Sequence, residues 1–266
     1  MEENKCEYDI YKTKLIDLNK FSNINIYLTG YGPFQEIKEN PAQLVVEDLF
    51  KNKSKFETEK TKILYSQIFE VKTEYVDENK KKVFDLIKEN NTSKDTLHII
   101  ISYGVADNRK NISIETLCEN YIYDLKKDEI INENNPKYLY SKAAVKTLVK
   151  GINKTNDFYC KYSCNAGTYL CNYMYYSTIN NYKNDDNVMS LFVHIPNINN
   201  CSIEENEKFF KNLIHSLEIC YLKGNEKECE KLINIPVPPV IEEKEKNKES
   251  QSLSNHLFLN RSTDFR

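Results

Sequence analysis

The sequence predicts an α/β protein, a three-layer α/β/α sandwich around a mixed central sheet. Short runs rich in β-branched and aromatic residues alternate along the chain with segments of helical periodicity. One run, residues 97–104, is almost continuously apolar, which is typical of a strand buried on both faces of a sheet. With 266 residues, 40% of them hydrophobic, the chain is long enough to form the core of one such domain.

The first half of the chain contains most of the expected strands. They are predicted at 24–29, 61–68, 97–104 and 112–117. Helices are predicted between them, at 41–50 and 74–90. Pro41 favours the start of the first helix, because proline suits the first helical turn.

The second half begins with an expected long loop, residues 119–135, and then returns to alternation. Ser141 is expected to cap a helix at 142–152. A strand at 158–163, a helix at 167–181, a strand at 188–194 and a helix at 204–222 follow. Because loops gather at strand ends in such a fold, we expect the functional site there.

Composition shifts divide the chain into three parts. Residues 1–22 are polar and irregular, so we expect an N-terminal extension that packs loosely or not at all. Residues 23–234 form the expected α/β catalytic domain. Residues 235–266 contain three prolines and then a run of Glu, Lys and Ser, which predicts a charged, disordered tail.

The charge balance excludes several classes of partner. With 37 basic and 40 acidic residues, the net charge of -3 gives no electrostatic reason to bind nucleic acid or an anionic membrane. The sequence also shows no spanning apolar run and no basic, apolar signal segment at its start. We therefore expect a cytoplasmic protein.

The eight cysteines are irregularly spaced, so we expect reduced thiols, most of them buried. Cys160, Cys164 and Cys171 lie close in sequence but lack the Cys-x2-Cys or His-x3-His partners of a zinc site. Neither a metal nor another cofactor is expected.

Three residues on different segments suggest covalent catalysis. Cys171 follows a strand and an Ala-Gly turn at the start of a helix, where free N–H groups and positive potential should make its thiol easy to ionise. His194 ends the next strand, and Glu115 lies on a third. Taken alone, Cys171 could be a packed thiol and His194 a core histidine. Together they fit the pattern of nucleophile, base and orienting carboxylate.

Four sequence segments, in order, resemble the type I pyroglutamyl peptidases, cysteine peptidases that remove an N-terminal pyroglutamate. They are TGYGPF at 29–34, IETL at 114–117, AGTYLCN at 166–172 and FVHIP at 192–196. The resemblance covers about residues 24–222 and implies the same α/β/α fold. It implies Cys171 as the nucleophile, a thioester intermediate, and no cofactor.

The resemblance also implies roles for other residues. His194 would be the acid-base residue and Glu115 the third member of the triad. The substrate-binding positions would be Tyr31, Phe34, Asn40, Tyr169 and Leu170, lining an apolar slot for the neutral lactam ring. Asn40 has an alternative as the cap of the helix that follows it.

Other functions remain open from the sequence. The implied partners are peptides with N-terminal pyroglutamate, and a homo-oligomer is left open. An inactive family member that serves as a binding or scaffold protein is the main alternative. A glutaminase-like thiol hydrolase is less favoured, because the chain lacks a Gly-x-Cys-x-Gly elbow.

Overall fold

A central sheet organises the part of the chain that the computed structural model describes, residues 14–34, 38–123, 128–154 and 159–236. The strands in these ranges are β1 (Asn23–Tyr31), β2 (Thr61–Phe69), β3 (Thr96–Val105), β4 (Ser113–Glu115), β5 (Leu117–Glu119), β6 (Ile122–Tyr123), β7 (Asp128–Glu129), β8 (Tyr138–Tyr140), β9 (Lys161–Ser163) and β10 (Val188–Ile195). The helices are α1 (Pro41–Lys51), α2 (Thr73–Asn90), α3 (Val145–Asn153), α4 (Leu170–Asn181), α5 (Ile203–Tyr221) and α6 (Glu226–Ile233).

Six strands form the main sheet in the order β2-β1-β3-β10-β4-β9. Neighbouring strands are parallel, except that β10 and β4 are antiparallel. The sheet is therefore mixed, as predicted. β3 and β10 occupy its centre and are buried along nearly their whole length, which explains their continuous apolar sequences.

Helices cover both faces of this sheet and create two hydrophobic cores. One core contains residues of α1, α3, α5 and α6, and the other contains residues of α2 and α4. The predicted three-layer α/β/α class is confirmed. Because β1, β3 and β10 are parallel, their carboxyl ends lie at one edge of the sheet, which is where the candidate catalytic residues collect.

The N-terminal residues before β1 correct one expectation. Phe21 is fully buried and forms a β-bridge with Leu222, and Ile16 is 4% exposed in the same core as α5. Asn19 donates hydrogen bonds to the carbonyl groups of Ile219 and Leu222. Residues 16–22 are thus packed on the domain and are not a loose extension. Residues 1–13 lie outside the described range.

Several strands and helices begin or end at residues other than those predicted. The predicted strand at 112–117 is divided at Thr116 into β4 and β5, and the expected loop at 119–135 contains the paired strands β6 and β7. Ser141 does not cap α3, which begins at Val145, because its hydroxyl donates to the carbonyl of Ser190. α4 begins at Leu170, three residues after Gly167, whose φ of +76° is incompatible with a right-handed helix.

The end of the domain includes one helix that the sequence did not predict. α6 is short and charged, and it buries only Cys229 and Leu232. The compact unit ends at Ile235, one residue after the expected boundary. The expected disordered tail lies, from residue 237 onward, outside the described residues. Among the described helices, none has the length and apolar character that crossing a bilayer requires.

Candidate active site

Cys171 is the second residue of α4 and lies against the end of the central strand β3. Gly104 makes this approach possible, because a Cβ atom at residue 104 would lie 2.8 Å from the Cys171 sulfur. Gly104 is also the residue paired with His194 across β3 and β10. The Cys171 sulfur therefore lies beside Gly104, which is the neighbour of His194 across the sheet.

His194 is held by a buried carboxylate. Its Nδ1 atom lies 2.7 Å from Oε1 of Glu115, and the His194 side chain is only 6% exposed. The imidazole ring also packs on Phe192, with ring centroids 4.9 Å apart. Since a carboxylate can only accept, Nδ1 carries the shared proton and Nε2 is left as the basic nitrogen.

Glu115 is fully buried and has several partners. Arg109 Nη1 donates to Oε1 at 2.7 Å, and the backbone N–H of Asn165 donates to Oε2 at 3.1 Å. Burial alone would raise the pKa of Glu115, but the hydrogen bond from His194 and the charge of Arg109 lower this pKa to about 2. Glu115 is consequently ionised throughout the neutral range.

The thiol of Cys171 does not behave as its helix position alone predicts. Burial of the sulfur, together with the nearby charge of Glu115, raises the pKa of Cys171 to about 12. Burial also lowers the pKa of His194 from 6.5, although Glu115 opposes this shift. Burial of the sulfur thus opposes the easy ionisation that the helix position predicts.

Two predicted substrate-binding residues, Tyr31 and Leu170, lie next to Cys171 and contact each other. The buried Tyr31 hydroxyl donates to the carbonyl of Leu170 at 2.8 Å, and the Tyr31 ring meets Phe69 edge to face with centroids 6.1 Å apart. The Leu170 side chain is 1% exposed and packs in the second core. Tyr31 and Leu170 thus fix the start of α4.

The other three predicted substrate-binding residues differ in their surroundings. Tyr169, the residue before α4, is 38% exposed. Asn40 is buried as the cap of α1, because its side chain accepts from Ala42 N and donates to the carbonyl of Gly32. The capping alternative therefore explains Asn40. Phe34 is half-buried and precedes residues 35–37, which are not described.

Sequence reasoning missed Arg109 and Asn172. Arg109 links Glu115 to the carbonyl of Asn165, and Asn172 binds the backbone of Glu119 and Tyr121 through three hydrogen bonds. A signal for Arg109 was present, because the chain has only three arginines among 37 basic residues and the other two follow residue 260.

Among the described residues, six cysteines are free thiols, and five of them are buried: Cys118, Cys160, Cys201, Cys220 and Cys229. Cys171 is partly exposed. Cys164 corrects the expectation of uniformly reduced thiols, because it is disulfide-bonded. Within the described residues, no group of three or more His, Cys, Asp or Glu side chains is arranged to hold a metal ion.

Comparison with known proteins decides the family. The sequence model of the pyroglutamyl peptidase family matches residues 24–222, which is most of the chain and includes every candidate catalytic residue. The chain belongs to the pyroglutamyl peptidase family. The resemblance seen in the four sequence segments is confirmed, and with it the assignment to a pyroglutamyl-peptidase-like hydrolase of the cysteine peptidase type.

Individual relatives agree with this family. Pyrrolidone-carboxylate peptidase 1 of Saccharolobus solfataricus is 30% identical over 182 residues, covering 65% of this chain and 79% of the relative. The peptidase of Caldanaerobacter subterraneus subsp. tengcongensis is 28% identical over 185 residues, covering 65% of this chain and 82% of the relative.

Solved structures support the fold. Pyrrolidone carboxyl peptidase from Thermococcus litoralis superposes with a TM-score of 0.60 at 21% identity, covering 72% of this chain and 92% of that one. A mutant of the enzyme from Pyrococcus furiosus gives a TM-score of 0.61 at 24% identity, covering 72% and 97%.

Proposed function

We propose that this protein is a cysteine exopeptidase that removes N-terminal pyroglutamate from peptides through a thioester on Cys171. The single observation that carries the proposal is the chain of contacts from the Cys171 sulfur to Gly104, and from the paired His194 to Glu115. Family membership supports the substrate class.

The raised pKa of Cys171 and the lowered pKa of His194 favour proton transfer during the reaction over a preformed ion pair. His194 would take the thiol proton through Nε2 as the sulfur attacks the pyroglutamyl carbonyl carbon. Glu115, ionised and bonded to Nδ1, would stabilise the imidazolium that forms.

The remaining steps need no additional group. Backbone N–H groups in the first turn of α4, which lack partners within the helix, would stabilise the oxyanion. The imidazolium of His194 then donates its proton to the departing amine as the C–N bond breaks, leaving a thioester on Cys171. His194 next accepts a proton from water, which attacks the thioester and releases pyroglutamate and the free thiol.

The substrate slot is proposed from the residues beside the nucleophile. Pyroglutamate is neutral and compact, so it requires apolar contacts and amide-like partners and no ion pair. The partly exposed Tyr169 supplies apolar surface of this kind, while the buried Tyr31 and Leu170 hold the start of α4 beside it. Phe34 and Asn40 complete the proposed slot, Asn40 by holding the loop carbonyl of Gly32.

The test is a pair of peptides that differ only in their first residue, pyroglutamate or glutamate. Incubation with the protein followed by mass spectrometry should show free pyroglutamate and a peptide shortened by one residue from the first substrate only. Binding of the pyroglutamyl peptide without any shortened product would support the scaffold alternative and refute the proposed activity.

A cytoplasmic location is part of the same proposal. The free thiols of six cysteines support a reducing compartment, whereas disulfide-bonded Cys164 opposes it. Cell fractionation with thiol labelling of Cys164 before and after reduction tests this point, and recovery of the protein only outside the cytoplasmic fraction would refute it.

A further inference from the structure

We infer that Arg109 is a positioning residue of the catalytic site, which fastens the Glu115 carboxylate to the loop that leads to the nucleophile. The inference rests on the proposed function for its meaning in catalysis. It goes beyond the triad because Arg109 acts through Glu115 and Asn165 and contacts neither the Cys171 sulfur nor the His194 ring in any hydrogen bond of the described residues.

Three hydrogen bonds close a ring among these residues. Arg109 Nη1 donates to Glu115 Oε1 at 2.7 Å, and Arg109 Nη2 donates to the carbonyl of Asn165, also at 2.7 Å. The N–H of Asn165 then donates back to Glu115 Oε2 at 3.1 Å. Both carboxylate oxygens are engaged, so the carboxylate plane that faces His194 is fixed.

The ring joins two segments that are distant in the sequence. Glu115 ends β4, whereas Asn165 begins the turn that continues through Gly167 to the first residues of α4. A shift of Arg109 would therefore disturb the histidine through Glu115 and the cysteine through its preceding turn. Such dual control over two catalytic groups is the geometric reason to assign a positioning role.

The arrangement requires arginine in particular. The guanidinium presents several donors in one rigid plane, so it can bind a carboxylate and a carbonyl at the same time. A lysine ammonium is a compact charge and would hold one of these acceptors well at the expense of the other. In a chain where 34 of the 37 basic residues are lysine, an arginine at this place is consistent with such a requirement.

Arg109 also contributes charge. Its side chain is 20% exposed, whereas that of Glu115 is completely buried. The positive charge opposes that of Glu115 and lowers the pKa of both Cys171 and His194. The other titratable groups that face the site, Tyr31 beside Cys171 and Tyr175 on the carbonyl of Glu115, have pKa values raised far above neutrality by burial.

The test compares R109M, R109K and a control, K55M. Lys55 forms a surface ion pair with Glu207 and belongs to no part of the site. Two readouts are measured: the pH profile of kcat/KM on a pyroglutamyl amide, and the rate of Cys171 alkylation by iodoacetamide at one fixed pH, followed on its own peptide by mass spectrometry. The alkylation rate requires no turnover.

We expect R109M to reduce kcat by about tenfold or more with KM nearly unchanged, because the geometry of the triad is loosened while substrate contacts stay. Loss of the charge should move the acid limb of kcat/KM to higher pH by about one unit and slow Cys171 alkylation at the fixed pH by about tenfold. R109K should retain the wild-type acid limb and alkylation rate but reduce kcat, and K55M should match wild type in both readouts.

Several results would overturn the inference. One is a folded R109M with the wild-type acid limb and alkylation rate, and another is a higher KM with unchanged kcat, which would indicate a substrate contact. If R109M does not fold, the kcat of R109K tests the inference. A wild-type kcat in R109K would show that simultaneous contacts to Glu115 and Asn165 are not needed. Absence of turnover in wild type, with slower Cys171 alkylation in R109M, would refute the proposed function and leave the inference intact.

Discussion

Substitution of Gly104 by alanine tests whether the sulfur of Cys171 lies where the structure places it. The added Cβ would be 2.8 Å from the sulfur and 3.0 Å from two ring atoms of Phe192. Ordinary contacts begin near 3.4 Å, so the sulfur must retreat by 3.4 minus 2.8, or 0.6 Å, unless the strand itself moves. Gly104 therefore controls the position of the nucleophile directly.

The size of the expected loss in activity follows from the dependence of the reaction rate on the position of the nucleophile. A displacement of about 1 Å can reduce the rate about 100-fold, so a shift of this size should lower kcat/KM by about tenfold to 100-fold. Crowding against Phe192 should also destabilise the fold, by about 1 to 3 kcal/mol. Both quantities are measurable on one preparation, by hydrolysis of a fluorogenic pyroglutamyl amide and by thermal melting.

Gly224 provides the matched control. It lies between α5 and α6, where an added Cβ would meet no atom within 4 Å, but its φ of +86° disfavours alanine. G224A should therefore lose about 1 kcal/mol of stability and retain wild-type kcat/KM. If G104A is folded and as active as G224A, the sulfur does not depend on Gly104 and the described site geometry is wrong.

Four further predictions address the thiol, the triad, the ionisation of Glu115 and the N-terminal segment. Limited alkylation should modify Cys171 before the other free cysteines of the described residues, because these are buried; earlier modification of any of them contradicts the site. H194A should nearly eliminate turnover of a pyroglutamyl amide, while E115Q should leave a measurable rate, and the reverse order would refute the assigned roles. The folded-state pKa of Glu115 is below its ordinary value of 4.5, so its stabilisation is present above pH 4.5 and lost as pH falls toward 2. Urea unfolding of E115Q should accordingly depend less on pH in this window, and parallel curves for both proteins would contradict it. F21A should lose about 3 to 5 kcal/mol of stability, whereas L15A, at an exposed position, should lose less than about 1 kcal/mol; equal losses would show that residues 16–22 are not packed as described.

Local sequence patterns were sufficient for most of the fold. Strands such as β3 and β10 are apolar along their length because helices cover both faces of the sheet, and this burial is visible in the sequence. Patterns failed where a few tertiary contacts override them. Ser141 looks like a helix cap but bonds to Ser190, and Phe21 lies in a polar segment yet packs beside Leu222. Neither partner can be read from local spacing.

The candidate site, too, was predicted only in part from the sequence. Cys171, His194 and Glu115 were predicted because family motifs mark them, but the ionisation state of the thiol was not. Burial of the sulfur and the charge of Glu115 raise the pKa of Cys171, and both depend on groups that come together only in the folded chain. Arg109 was missed for a similar reason, since its two acceptors become neighbours only in the folded chain.

Hydrolysis of two matched amides by wild type and C171S tests the central claim most directly. One amide carries pyroglutamate and the other carries glutamate with a free α-amine, and both release the same fluorophore. Wild type should cleave the pyroglutamyl amide alone, and C171S should cleave neither while melting at the wild-type temperature. Turnover of the pyroglutamyl amide by C171S, or equal cleavage of both amides by wild type, would contradict a Cys171-dependent pyroglutamyl peptidase.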